Sequence, residues 1–158
     1  MDPKHFRKLM TKVDEETGHS LIHIATLEST FDMVDFFLSI GGKVDTLTSQ
    51  FPKQNSLHLA AERGDISIYS LLLNAAPRLI NSQDENGNTP MHIAAIARNT
   101  HIIEFTISEE KAQKEPVLHL LPNKNGFYPQ DILRKCGYSM KLHSLAKSLE
   151  MMRLKETK

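Results

Sequence analysis

The 158-residue chain contains one cysteine, Cys136. A single cysteine excludes an intrachain disulfide and a cysteine-based structural zinc site, and it fits a reducing, intracellular setting. No apolar run approaches the roughly 18 residues that a spanning helix needs, and the opening MDPKHFRKLM lacks the apolar core of a secretory signal. The expected location is intracellular and cytoplasmic, with the cytosol of a host cell as one form of it. Net charge is also missing, because 19 basic residues balance 19 acidic ones. The balance is uneven along the chain. Lys4, Arg7, Lys8 and Lys12 crowd the start, and Lys141, Lys147, Arg153, Lys155 and Lys158 crowd the end. Residues 14–138 carry 10 basic and 16 acidic side chains, a poor surface for nucleic acid. With 40% hydrophobic residues the chain has enough apolar material for one domain with its own core.

Motifs of chemistry are absent as well. There is no P-loop, dinucleotide fingerprint or kinase signature, and Asn123-Lys124-Asn125-Gly126 is a turn without the glycine pattern that cradles phosphate. Cys136 has the basic neighbours Arg134 and Lys135. A nucleophile also needs a base and an oriented site, and no motif supplies them. The eight histidines include no i, i+4 pair among His5, His19, His101, His119 and His143. The chain is therefore expected not to be an enzyme and to need no cofactor or metal.

What is present is repetition. Leu21-Ile22-His23-Ile24-Ala25, Leu57-His58-Leu59-Ala60-Ala61 and Met91-His92-Ile93-Ala94-Ala95 are related, with their histidines 35 and 34 residues apart. A fourth, weaker copy aligns Gly126-Phe127-Tyr128-Pro129-Gln130-Asp131-Ile132-Leu133 with Gly87-Asn88-Thr89-Pro90-Met91-His92-Ile93-Ala94, placing Asp131 where the histidine stood. In the third copy each residue has a mechanism. Asn86-Gly87 makes a tight hairpin turn, since glycine tolerates positive φ. Thr89 caps the helix start, and Pro90 fits its first position, where a missing N–H costs nothing. The paired alanines let helices approach closely, and the histidine ties adjacent turns together. Apolar segments at 32–38, 66–73 and 101–105 supply a second helix per copy. A lone helix pair cannot bury its apolar face, so the copies must stack.

This pattern resembles the ankyrin repeat, a unit of about 33 residues with a T-P-L-H-x-A signature. The likeness runs from about Asp14 to about Tyr138 and is most specific at residues 80–95. It implies an all-α solenoid of helix-turn-helix units joined by short hairpin loops. The repeats are placed at about 14–46, 47–82, 83–122 and 123–138. Apolar stripes at Phe6, Leu9, Met10 and Val13, and at Leu142, Leu145, Ala146, Leu149 and Met152, read as capping helices over 1–13 and 139–158. Three departures stand out. Ser20-Leu21 and Asn55-Ser56 replace Thr-Pro, the second turn carries two extra residues, and the third repeat is long, with 39 residues from His92 to Asp131. Its excess, around 108–116, is expected either to lengthen the outer helix or to project as a loop.

The resemblance also implies a protein-interaction module whose concave face, made of hairpin tips and exposed first-helix positions, binds a partner protein. Alignment puts Glu16, Thr17 and His19 on the first tip, Phe51 and Gln54 on the second, Glu85, Asn86 and Asn88 on the third, and Lys124, Asn125 and Phe127 on the fourth. The helix positions are Leu27 and Glu28, Glu62 and Arg63, Ile96 and Ala97, and Lys135 and Cys136. Phe51, Arg63, Ile96 and Phe127 are the anchors expected to matter most, an apolar or aromatic centre within a polar rim being usual for a hot spot. Short ankyrin chains resemble inhibitors of the NF-κB kind and effectors of intracellular bacteria, although no acidic regulatory tail is present. The partner is unidentified, and the chain is expected to be monomeric when free. Two other readings stand beside this one: a self-associating assembly component that uses an end of the stack, and a Cys136-dependent enzyme.

Overall fold

A computed structural model describes residues 12–28, 30–112, 120–136 and 140–156. Its helices come in pairs. The first pair is α1 (Leu21–Leu27) with α2 (Phe31–Ser39), the second α3 (Ser56–Arg63) with α4 (Ile66–Ala75), and the third α5 (Pro90–Ile96) with α6 (Thr100–Ala112). They are followed by α7 (Pro129–Lys135) and α8 (Met140–Glu156), and a 3-10 turn, Pro77–Asn81, follows α4. Among the described residues there is no sheet. Val13 and Ser20 form an isolated antiparallel bridge.

Two sequence-based expectations meet the structure here. The N-terminal capping helix over 1–13 falls largely outside the described residues, and Val13, its last apolar position, is extended because its backbone pairs with Ser20. The long third repeat extends its outer helix to Ala112, whereas α2 ends at Ser39 after 9 residues. The rest of that excess, 113–119, lies outside the described residues.

The inner helices α1, α3, α5 and α7 pack more closely on one another than α2, α4 and α6 do. The cause is side-chain size. Ala25, Ala60, Ala61, Ala94 and Ala95 line the inner contacts and are buried. The outer helices bury larger side chains, Phe37, Tyr69, Leu72, Ile102 and Ile103. The row is therefore tighter on the inner side, which makes that side concave. Each fully buried Leu, Ile or Met contributes roughly 1.5–3 kcal/mol, and Leu57, Met91 and Leu133 are such residues, one in each of the later inner helices, as is Ile102 in α6.

Hydrogen bonds of three histidines fix the register between pairs. The His23 ring reaches the Thr46 carbonyl through Nε2 at 2.9 Å, His58 reaches the Asn88 carbonyl at 3.0 Å, and His92 reaches the Phe127 carbonyl at 2.9 Å. A carbonyl only accepts, so Nε2 carries the proton in each. The opposite nitrogen faces its own helix start. Nδ1 accepts the Ser20 N–H in His23 and the Thr89 N–H in His92, both at 3.1 Å. One neutral ring thus caps its own helix and holds the next hairpin.

Burial pushes the His23 ring down to about 4, against which the Thr46 carbonyl works, and burial likewise lowers His58 and His92. A folded-state value below the unfolded one means that the unfolded chain takes up protons first as pH falls. Stability is therefore complete above about pH 6.5 and is lost as pH falls from there toward 4. His23 alone should remove roughly 1–2 kcal/mol between pH 7 and pH 5, after allowance for solvent screening. Urea unfolding at the two pH values, with NMR titration of the ring protons, checks this. Equal midpoints, or a His23 ring that titrates near 6.5, would contradict it.

Candidate partner-binding surface

Four hairpin fingers precede the inner helices, and each closes on itself through backbone bonds. Asp14 N–H donates to His19 O at 2.8 Å, Thr48 to Gln54 at 2.8 Å, Asp84 to Asn88 at 2.9 Å and Asn123 to Phe127 at 2.8 Å. The second loop spans six positions where the third and fourth span four, which is where its two extra residues sit. Phe51 stands at that enlarged tip and is 70% exposed. Thr17 holds the Asp14 carboxyl below the usual carboxylate range, first through its hydroxyl at 2.6 Å and then through its N–H at 2.8 Å.

The fingers are joined edge to edge. Ser49 N–H donates to Gly18 O at 2.9 Å, Glu85 N–H to Pro52 O at 2.7 Å, and Lys124 N–H to Asn86 O at 3.0 Å. Side chains add to the seam. Gln50 Nε2 donates to the Glu16 carbonyl at 2.7 Å, Lys53 pairs with Glu85 at 2.9 Å, and Asn123 Nδ2 donates to Asn88 Oδ1 at 3.0 Å. The fingers therefore form a continuous ledge beside the concave row of inner helices. A second seam runs below it. Asn99 Nδ2 donates to the Ala61 and Glu62 carbonyls at 2.9 and 2.6 Å, and His101 Nε2 to Gly64 O at 2.7 Å. These bonds satisfy carbonyls that the end of α3 would otherwise leave orphaned.

Most residues expected at the surface are there. Glu16, Glu28, Phe51, Glu62, Arg63, Ala97 and Lys124 are exposed, and Ile96 is 53% exposed at the last turn of α5. His19, Leu27, Gln54, Glu85 and Asn86 are half-buried. His19 sets its ring edge toward His23, and Glu85 is held by Lys53. Phe127 is half-buried, and the Lys135 ammonium lies 3.5 Å from its ring centre. Cys136 is half-buried at the end of α7. Asn88 corrects its expectation. It is only 7% exposed, since its side chain is spent on Asn123 and its carbonyl on His58. Lys53 belongs to the ledge and was not among the expected residues. The signal was available, since it follows Phe51-Pro52 at a tip whose neighbour in the next repeat carries the acid Glu85.

Among the described residues no group of three or more His, Cys, Asp or Glu gathers to hold a metal. Among them, too, no helix is long and apolar enough to cross a membrane.

Close backbone approach makes the ledge sensitive at one glycine. Gly87 has φ +76°, and a Cβ there would stand 2.7 Å from the Lys124 backbone nitrogen, whereas Gly126, at φ +78°, has open space. Gly126→Ala should cost only the left-handed backbone term, about 1–2 kcal/mol. Gly87→Ala should cost clearly more, by thermal or urea unfolding of both variants. Equal losses would show that the contact between the third and fourth fingers is slack.

Residues 22–116 match the family described as ankyrin repeats, in three copies. Among curated proteins, the chain is 33% identical over 88 residues to the target of rapamycin complex 2 subunit AVO2 of Saccharomyces cerevisiae, covering 56% of this chain and 21% of that one. It is 30% identical over 95 residues to alpha-latrotoxin-Lh1a of Latrodectus hasselti, covering 60% of this chain and 7% of the toxin. It is 31% identical over 98 residues to the nuclear factor NF-kappa-B p105 subunit of Mus musculus, covering 61% of this chain and 10% of that protein. The chain thus spans about a fifth or less of the length of these relatives. Matched motif, paired helices, finger ledge and histidine register agree: the chain belongs to the ankyrin repeat family, whose fold is a protein-interaction module.

Proposed function

We propose that the chain binds a partner protein across its concave side, with Phe51 and Ile96 as apolar anchors, and acts by occupying the partner's surface as an inhibitor or a host-directed effector does. The observation that carries this reading is the exposure of those two large apolar side chains, one on the finger ledge and one on an inner helix. Exposed anchors within a polar rim are the anatomy of a binding hot spot. Hydrogen bonds between the fingers support it, because a preordered surface loses less entropy on binding. Two of the similar proteins are, by name, subunits of larger assemblies, which suits a surface used for association.

A second reading rests on a different observation. Ile24 and Met33 are 40% and 46% exposed, while Leu59 and Ile93, at the position of Ile24, and Ile68 and Ile102, at that of Met33, are buried. The end of the stack beside the first pair therefore presents an apolar face, which favours self-association through that end.

One experiment separates the two. The native chain and the Phe51→Ser/Ile96→Ser variant are compared by affinity capture and by light scattering. Anchors of the kind proposed cost about 2 kcal/mol or more each when truncated. A protein retained by the native chain should be lost by the variant, with helical circular dichroism unchanged and both chains monomeric. Equal retention by both chains would overturn the concave reading, and a concentration-dependent dimer abolished by Ile24→Glu would establish the second.

A further inference from the structure

The concave side carries a gradient of charge. On the first finger, Glu15 and Glu16 are exposed, and Glu28 is exposed at the end of α1. Among the described residues Lys12 is the nearest cation in sequence, and it lines a pocket with Val13, Asp14, His19 and Ile24, at the base of the finger and not at its tip. In the middle opposite signs are mixed: Lys53 is paired with Glu85, Glu62 and Arg63 are adjacent and exposed at the end of α3, and Arg98 is exposed after α5. At the fourth finger the sign reverses. Lys124 is exposed at the tip, and Lys135, at the end of α7, lies over the Phe127 ring. Arg134 is held by two carboxylates, Asp131 and Glu150, and that trio carries one net negative charge. The positive sign of this end therefore rests on Lys124 and Lys135 together with Arg153, which lies 4.5 Å from the Tyr128 ring centre. The sequence runs from acid, through a neutral zone containing Phe51 and Ile96, to base.

We infer that the concave side recognises an extended protein segment of matching polarity, basic where it meets the first finger, apolar at its centre and acidic where it meets the fourth. This deepens the concave reading and rests on it. Neighbouring helices pack about 8–10 Å apart, so the row from α1 to α7 spans roughly 25–30 Å. An extended chain advances about 3.3 Å per residue, so about eight or nine residues reach from one charged end to the other. Opposed charge blocks fix register and orientation more than they add affinity. The apolar centre supplies the anchor, and the ends decide which way round the segment lies.

Two synthetic peptides of equal composition test the inference. Each has a central Phe-Leu pair flanked by glycines, three lysines and three glutamates. In one the lysines form one end and the glutamates the other, and in the second they alternate. Each carries a photo-crosslinker at one end, the lysine end in the block peptide. At low ionic strength the block peptide should bind about tenfold more tightly, each exposed pair contributing a few tenths of a kcal/mol. Its crosslinks should fall on the first finger and α1, and the preference should shrink in high salt.

In a chain with Glu15→Lys, Glu16→Lys, Glu28→Lys, Lys124→Glu and Lys135→Glu, checked for folding by circular dichroism, the block peptide should still bind. Its crosslinks should then move to the fourth finger. Equal affinity for the two peptides, or crosslinks that stay in place after the exchange, would overturn the polarity while leaving concave binding intact. No saturable binding of either peptide would overturn it too. Crosslinks on α2, α4 and α6 would instead refute the concave reading itself.

Discussion

A neutral imidazole with a partner at each end is what the rest of the stack depends on. Nδ1 of His23 and of His92 accepts a backbone N–H at its own helix start, and Nε2 donates to a carbonyl of the following hairpin. Local helix capping and long-range register are therefore one interaction, and neither can be lost alone. The alanines beside the histidines bring the inner helices close enough for the ring to reach. That closeness bends the row, and the bend creates the concave side. Asn55 varies the theme. Its Oδ1 accepts the Leu57 and His58 N–H groups at 3.0 and 3.2 Å, and its Nδ2 donates to Ser82 Oγ at 2.7 Å. Helix α3 thus keeps its cap without the Thr-Pro pair.

The parts of the fold legible in the sequence are those whose information is local. Asn86 to Ala95 contains a turn, a cap, a proline and a compact helix within ten residues, and each element forms where its residue type requires. The extra length of the third repeat was legible as length, but its form depended on helix propensity against solvent exposure along 108–112, and helix prevailed there. Val13 shows the limit of periodicity. Its apolar spacing fits a helix stripe, yet its backbone pairs with Ser20 across the first finger, a contact between two segments that no window of spacing contains.

The candidate surface divides in the same way. Phe51 and Ile96 were visible as apolar residues in positions that the repeat pattern exposes, and they are exposed. Asn88 and Phe127 were misleading because their burial comes from neighbours in another finger or helix. Asn123 takes the Asn88 side chain, and Lys135 covers the Phe127 ring. The importance of Lys53 lies in its pairing with Glu85, 32 positions on, a signal that shows only when the tips of neighbouring repeats are set side by side.

The bonds of the three repeated histidines point one way along the chain. His23, His58 and His92 each hand a proton forward to a carbonyl 23, 30 and 35 positions later, and none reaches back. The two directions of damage are therefore unequal. Within this set, loss of the unit behind strands a carbonyl acceptor, which water can serve, whereas the backward bonds of Asn99 and His101 to the Ala61, Glu62 and Gly64 carbonyls form a separate seam. Loss of the unit ahead strands a ring donor and loosens the helix start that the same ring caps. At Asp131 the sequence of hand-overs stops, because the carboxylate has no N–H to pass on and turns instead to accept from Tyr128 N–H at 2.9 Å. The fourth unit thus receives a forward ring bond without making one, and it is tied to the third in the other direction by the Lys124 N–H on the Asn86 carbonyl.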